Sequence, residues 1–293
     1  MTKVRTNNID IEYETFGDPL DKPLLLIVGL GSQMIHWDED FIKVLIERGF
    51  YVIIFDNRDI GLSTKFEELG EPELMNAIMA VQQGKPVEAP YTLDDMADDA
   101  VGLLDTLGIE KSHICGASMG GMIAQTIAYR HPSRVLSLTS IMSTTGNPDL
   151  PEMAPEVQQV FFAPVPPERD AIIENSIKIG KFTYGSGFIF DEVKFRDLAG
   201  RVFDRCYYPA GIGRHLLAIW AQGSRKEKLS AIKVPTLVIH GREDLLFPVE
   251  GGIDTAEAIL GSELIIIEGM GHSLPPEVWG KISDAIARNT AKA

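Results

Sequence analysis

The stretch HICGASMGG, residues 113–121, sets one serine, Ser118, among the small residues Gly116, Ala117, Gly120 and Gly121. Glycine costs backbone entropy, so a chain that gathers it needs backbone room at that place. The stretch opens on an apolar run and leads into a helical pattern, which puts Ser118 on a strand-to-helix turn. In the spacing Gly116-x-Ser118-x-Gly120 the neighbours two positions away are small enough to clear such a turn. The serine oxygen then stands out beyond the strand end. The helix that begins there aims free N–H groups at any negative charge developing beside it. A tight packing corner with an incidental serine would use the same glycines, so the partners decide.

A hydroxyl is a poor nucleophile without a base, and the base needs an orienting acid. Six histidines are available. His131 stands at a helix end before Pro132, where capping accounts for it. His113 and His240 lie in apolar strand runs, where packing accounts for both, and His36 and His215 have no loop signature. His272 differs: it lies in EGMGHSLP, a glycine-flanked loop after the last apolar run, at the sheet edge expected for Ser118. Asp244, in HGREDLLFP directly after the run PTLVIH, is the acid, with Glu243 beside it as the fallback. The chain order Ser118, Asp244, His272 is the order expected when such a triad is built on a parallel sheet.

These three positions need strands to hold them. Short apolar runs recur as PLLLIV (23–28), YVIIF (51–55), SHICGA (112–117), VLSLTSI (135–141), PTLVIH (235–240) and ELIIIE (263–268). Runs apolar on both faces and separated by helical patterns predict a mostly parallel sheet covered on both sides. One helix is well marked: Thr92 and Asp95 pair as a cap, Met96, Ala100, Leu103, Leu104 and Leu107 make its apolar stripe, and Gly108 stops it. Another runs from about Met119 to His131 and ends at Pro132. Between VLSLTSI and PTLVIH the alternation breaks. A proline-rich lead-in is followed by helical stretches carrying Phe161, Phe182, Tyr184, Phe195, Phe203 and Tyr207, too long for a simple loop. The expectation is an α/β core over 1–146 and 226–293 with a helical cap inserted over 147–225.

The bulk numbers restrict partners. At 293 residues and 45% hydrophobic, the chain can bury a large core. Acidic residues outnumber basic ones by 42 to 27, giving a net charge of −15 that disfavours nucleic acid and anionic membrane. The first residues lack the apolar stretch of a signal peptide, and no segment is long enough to span a bilayer. Cys115 and Cys206 lie far apart, which speaks for a reducing compartment and against a zinc site. A cytoplasmic protein is expected, with monomer or homo-oligomer left open.

Further motifs extend the pattern. DNRDIGLS (56–63) resembles the D-x-R-G-x-G-x-S turn of the α/β-hydrolase fold superfamily, with Asp59 in place of the usual glycine. VGLGSQMIHW (28–37) resembles that family's oxyanion loop, with Val28 where many members carry histidine. The resemblance covers nearly the whole core and implies the α/β-hydrolase fold. The whole pattern is similar to the aclacinomycin methylesterase-like group of esterases. By position in those motifs, the backbone N–H groups of Leu30 and Met119 are expected to form the oxyanion hole.

Other motifs carry less. Gly29-Leu30-Gly31 lacks the spacing of a phosphate loop and its lysine. Asp56 and Asp59 could suggest a metal, but a buried ion-pair turn around Arg58 accounts for them better. Cys115 belongs to a buried strand. The expected activity is hydrolysis of small-molecule carboxylic esters by a serine hydrolase that needs no metal or cofactor. Carbon–carbon bond hydrolases, perhydrolases and peptidases share such a triad and stay open, as does a ligand-binding receptor with little turnover.

Overall fold

The computed structural model describes residues 2–293. Strands β1 (Thr2–Thr6) and β2 (Ile9–Phe16) form an antiparallel hairpin turned by Asn7 and Asn8, both at positive φ (46° and 64°). Asparagine tolerates that region, and a two-residue turn of this kind matches the twist of the strands. The six apolar runs become β3 (Lys22–Ile27), β4 (Phe50–Phe55), β5 (Ser112–Ala117), β6 (Val135–Ile141), β7 (Thr236–Gly241) and β8 (Glu263–Ile267). The eight strands lie in the order β1-β2-β4-β3-β5-β6-β7-β8. From β4 to β8 across the sheet every pairing is parallel, whereas β2 meets β4 antiparallel.

Four helices lie before the break in alternation: α1 (Glu39–Ile46), α2 (Leu74–Gln82), α3 (Leu93–Thr106) and α4 (Met119–Arg130). The break itself holds α5 (Pro155–Phe161), α6 (Arg169–Thr183), α7 (Glu192–Arg205) and α8 (Pro209–Gln222). After it come α9 (Lys226–Leu229), α10 (Glu250–Ala258) and α11 (Trp279–Thr290). The α3 cap forms as the sequence predicts: Thr92 N donates to Asp95 Oδ2 at 2.7 Å, and Gly108 leaves the helix at φ 72°.

Alternation along each strand explains the two-sided core. Leu25 and Ile27 face α3 and α4 together with Ile53, Phe55 and Ile114. Their neighbours Leu24 and Leu26 face α1 and α11 together with Val52, Ile54 and Ile239. The excursion between β6 and β7 leaves and returns at one place, where Arg225 N donates to Thr145 O at 2.8 Å and Arg225 Nη2 to Thr144 O at 2.7 Å. Among the described residues no helix is long and apolar enough to cross a membrane.

Candidate active site

Ser118 directly follows β5 and directly precedes α4, at φ 57° and ψ −123°. A side-chain residue seldom adopts such a φ, and holding it there costs about 1–3 kcal/mol. Its main chain is tied on both sides. Ser118 N donates to Ile141 O at 2.9 Å, while Ser118 O accepts from Gly121 N at 2.9 Å and Ser143 Oγ at 2.8 Å.

The glycines are a packing requirement. A Cβ on Gly116 would lie 2.0 Å from Gly120 O, and one on Gly120 would lie 2.1 Å from Ile27 O. Strands β3 and β5 and the start of α4 therefore meet backbone to backbone. Gly29 continues the same contact, since a Cβ there would lie 3.1 Å from Ser118 Cβ and 3.5 Å from its Oγ. The loop after β3 thus runs against the serine. Among the described residues neither Leu30 N–H nor Met119 N–H has a protein acceptor. Met119 opens α4, where a free N–H group and the helix dipole favour negative charge.

Asp244 and His272 occupy the same carboxyl edge, after β7 and β8. The Asp244 side chain is fully buried. Its Oδ1 accepts from Leu246 N and Phe247 N, each at 2.9 Å, and its Oδ2 accepts from His272 Nδ1 at 2.7 Å. Burial alone would push the carboxyl up. The charge of His272 and the hydrogen bonds from His240 and His272 outweigh it and hold Asp244 well below the usual carboxylate range. Because Nδ1 donates to the carboxylate, His272 Nε2 is left as the basic nitrogen. The Phe247 ring meets the His272 ring edge-on at 5.5 Å. Among the described residues no hydrogen bond joins Ser118 Oγ to His272, and such bonds are often long before substrate binds.

Glu243, the fallback acid, is occupied elsewhere. Its carboxylate accepts from Ser186 N at 2.7 Å and Ser186 Oγ at 2.9 Å. Ser186 lies on the turn after α6, and that turn rests on the His272 loop. Gly187 N donates to Gly269 O at 3.0 Å and Gly271 N donates to Tyr184 O at 3.1 Å. A Cβ on Gly271 would sit 2.3 Å from Thr183 O, so the glycines around His272 serve this contact.

The turn 56–63 supports the loop against the serine. Asp56 accepts from Met34 N at 2.7 Å and pairs with Arg205 at 2.7 Å. Arg58 is buried and grips Asp99 of α3 through two bonds at 2.6 and 2.8 Å. Asp59 grips Arg214 of α8 in the same two-pronged way, at 2.7 and 3.0 Å. The remaining histidines are engaged in packing. His215 Nε2 donates to Arg58 O at 2.7 Å, His113 meets Ser137 Oγ at 2.8 Å, and His131 meets Asp98 at 2.7 Å. His36 bonds within its own loop, to Gln33. His240 is the exception, because its Nε2 comes within 3.3 Å of Asp244 Oδ2. Its place in an apolar strand gives no sign of this; the four-residue interval to Asp244 is the only trace in the sequence.

Known proteins share both the sequence and the architecture. The description of the alpha/beta hydrolase fold family matches residues 22–187, more than half of the chain. Rhodomycin D methylesterase DnrP of Streptomyces peucetius is 28% identical, over 100% of this chain and 99% of that protein. The 2-hydroxymuconate semialdehyde hydrolase of Pseudomonas sp. (strain CF600) is 30% identical, over 69% of this chain and 67% of that protein. Among solved structures, a meta-cleavage product hydrolase from Pseudomonas fluorescens IP01 superposes with a TM-score of 0.76 at 21% identity, covering 99% of this chain and 97% of that one. A sheet in this order with a strained serine after β5 accords with that likeness, and the chain belongs to the alpha/beta hydrolase fold family.

Proposed function

We propose that this hydrolase cleaves small-molecule carboxylic esters, with Ser118 as nucleophile, His272 as base and Asp244 as its orienting acid. The observation that carries the reading is the buried Asp244–His272 hydrogen bond of 2.7 Å on the sheet edge where Ser118 is held at φ 57°. Ser118 Oγ attacks the ester carbonyl carbon as its proton passes to His272 Nε2. The oxygen that becomes negative accepts from Leu30 N–H and Met119 N–H, groups with no acceptor among the described residues. Collapse expels the alcohol, which takes the proton from His272. A water deprotonated by the same nitrogen then releases the acid and restores Ser118. Rhodomycin D methylesterase DnrP, which matches end to end, is named as a methylesterase, which favours an ester over a carbon–carbon bond.

The division of labour follows the fold. Segments 1–146 and 226–293 supply every reacting group named here, and the helical insertion over 147–225 acts as a cap that shapes access to them. The test pairs covalent labelling with turnover. A fluorophosphonate should add once, at Ser118, and chromogenic acetate and butyrate esters should be hydrolysed. Ser118→Ala should lose both, with kcat/KM down by about 10³-fold or more. A label on another residue overturns the site. Labelling at Ser118 without turnover of any ester keeps the nucleophile and removes the ester.

A further inference from the structure

We propose that His240 is a positioning residue for the acid–base pair: its Nε2–H ties Asp244 Oδ2 to the Phe247 carbonyl and so fixes the carboxylate toward His272. This rests on the reading of Asp244 and His272 given above. His240 is the penultimate residue of β7, with no exposed surface. Its Nε2 lies 2.8 Å from Phe247 O and 3.3 Å from Asp244 Oδ2. Both are acceptors, so the hydrogen of the ring belongs on Nε2, shared between them.

The other nitrogen shows that the residue is not there for packing. His240 Nδ1 is sealed from solvent and has no hydrogen-bond partner among the described residues. Its neighbours along β7, Leu237, Val238 and Ile239, are aliphatic, and an aliphatic side chain would fill the place without leaving a polar atom bare. The ring lies close against the backbone of α10, where a Cβ on Gly252 would come within 2.6 Å of Nδ1.

Two routes lead from His240 to His272. One is the carboxylate. Among the described residues Asp244 Oδ1 has two backbone donors, whereas Oδ2 has His272 Nδ1 at 2.7 Å and His240 Nε2 at 3.3 Å. Without His240 the carboxylate loses a donor on the side that orients the base. The other is Phe247, whose carbonyl His240 holds and whose ring meets the His272 ring. A base displaced by a fraction of an ångström is a kinetic defect before it is a folding defect.

Three variants separate the donor from the bulk. His240→Phe fills the space without a donor. His240→Gln places an amide N–H near the position of Nε2, and His240→Asn places one nearer Nδ1. The readouts are kcat and KM on a chromogenic ester, and the NMR signal of the His272 Nδ1 proton that is bonded to Asp244. His240→Phe and His240→Asn should lower kcat by about 10- to 100-fold with KM within twofold, and should move or broaden that signal. His240→Gln should recover most of kcat and the native signal. Wild-type kcat with an unmoved signal in His240→Phe overturns the proposal. So does an equal loss in all three variants, which would mark His240 as structural. The proton signal needs no turnover, so it still decides the role of His240 if no ester proves to be a substrate.

Discussion

Helix α8 and the pair α6–α7 belong to the same excursion from the sheet, yet most of their length is fastened differently. Helix α8 is locked by buried polar bonds. Arg214 grips Asp59 and donates to Gly70 O at 2.6 Å, His215 reaches Arg58 O, and Ala218 sits in the core. A Cβ on Gly211 would lie 2.1 Å from Asp59 O, so helix and turn touch at the backbone. Helices α6 and α7 carry most of their charges outside, in the pairs Arg169–Asp204, Lys181–Glu192, Arg196–Glu174 and Arg196–Glu192, and only at the end of α7 does Arg205 turn inward to Asp56. A cavity of about 100 Å³, lined by Phe195, Phe203, Tyr207 and His36 among others, opens beneath them. Similar ion pairs thus do different work. A buried pair is costly to break because it leaves a charge stranded, while an exposed pair exchanges readily with water. One limb of the insertion is fixed along α8 to the turn at 56–63, and the other is anchored by Arg205 at its end and reaches the His272 loop through the turn at 184–187.

The largest expected effect lies at the fixed limb. Arg214→Met or Asp59→Asn should destabilise the protein by about 3–5 kcal/mol in urea unfolding, and the double variant should recover part of that. A single variant that costs less than about 1 kcal/mol would erase the contrast between the limbs.

Next comes pH. Burial pulls His215 of α8 down to about 4, with the Arg58 carbonyl and the Asp59 charge opposing it. Burial, with a smaller contribution from the Lys22 charge, likewise pulls His113 of β5 down to about 4. Between the ordinary value of 6.5 and about 4 the unfolded chain binds these protons and the folded one does not. Stability is therefore full above pH 6.5 and falls as pH is lowered toward 4, by about 3 kcal/mol for His215. Urea midpoints across that window should drop, and His215→Gln should flatten the dependence. A wild-type midpoint that stays level would show that His215 is not held neutral against the fixed limb.

The outer limb gives smaller effects. Ser186→Ala removes one hydrogen bond to Glu243 and should cost about 1 kcal/mol at most. Because the same turn rests on the His272 loop, its signature should be a lower kcat on bulky esters. An unchanged kcat would mean that the turn and the base are independent. The smallest effect is at the outer pairs, where Arg196→Ala should leave both the urea midpoint and kcat/KM at wild-type values. A clear loss there would show that the outer charges hold α6 and α7 after all.

What could be read from the chain depended on how local the physics is. The surroundings of Ser118 were legible because a glycine two positions away on either side is a steric need within one turn. The strand-end locations of Asp244 and His272 were legible because apolar runs delimit β7 and β8. Strand β1 escapes the reading because it is largely exposed, and β2 because Ile9, Ile11 and Tyr13 alternate with acidic residues and make no continuous apolar run. Helix α2 was missed for a related reason, since Met75 and Met79 face solvent and blur its stripe. The link of Glu243 to Ser186 spans 57 residues and that of Asp59 to Arg214 spans 155, so no local pattern announces either. His240 was discounted because a histidine in an apolar strand looks like packing until its Nε2 is seen beside Asp244.

Asp59 has a consequence for recombining this protein with its relatives. It holds φ 67°, where a residue with a side chain gives up about 1–2 kcal/mol, and its carboxylate collects donors from Phe66, Tyr91 and Arg214. An insertion taken from a chain without an arginine at the place of Arg214 would leave this carboxylate buried and bare. The reverse graft, onto a sheet with glycine at that turn, would bury an arginine without its partner. A shuffled library would therefore be sorted by this lock before any substrate was tried. If the proposed cap of 147–225 is transferred, the turn at 56–63 should travel with it, and crossover points that separate Asp59 from Arg214 should yield mostly unfolded chimaeras.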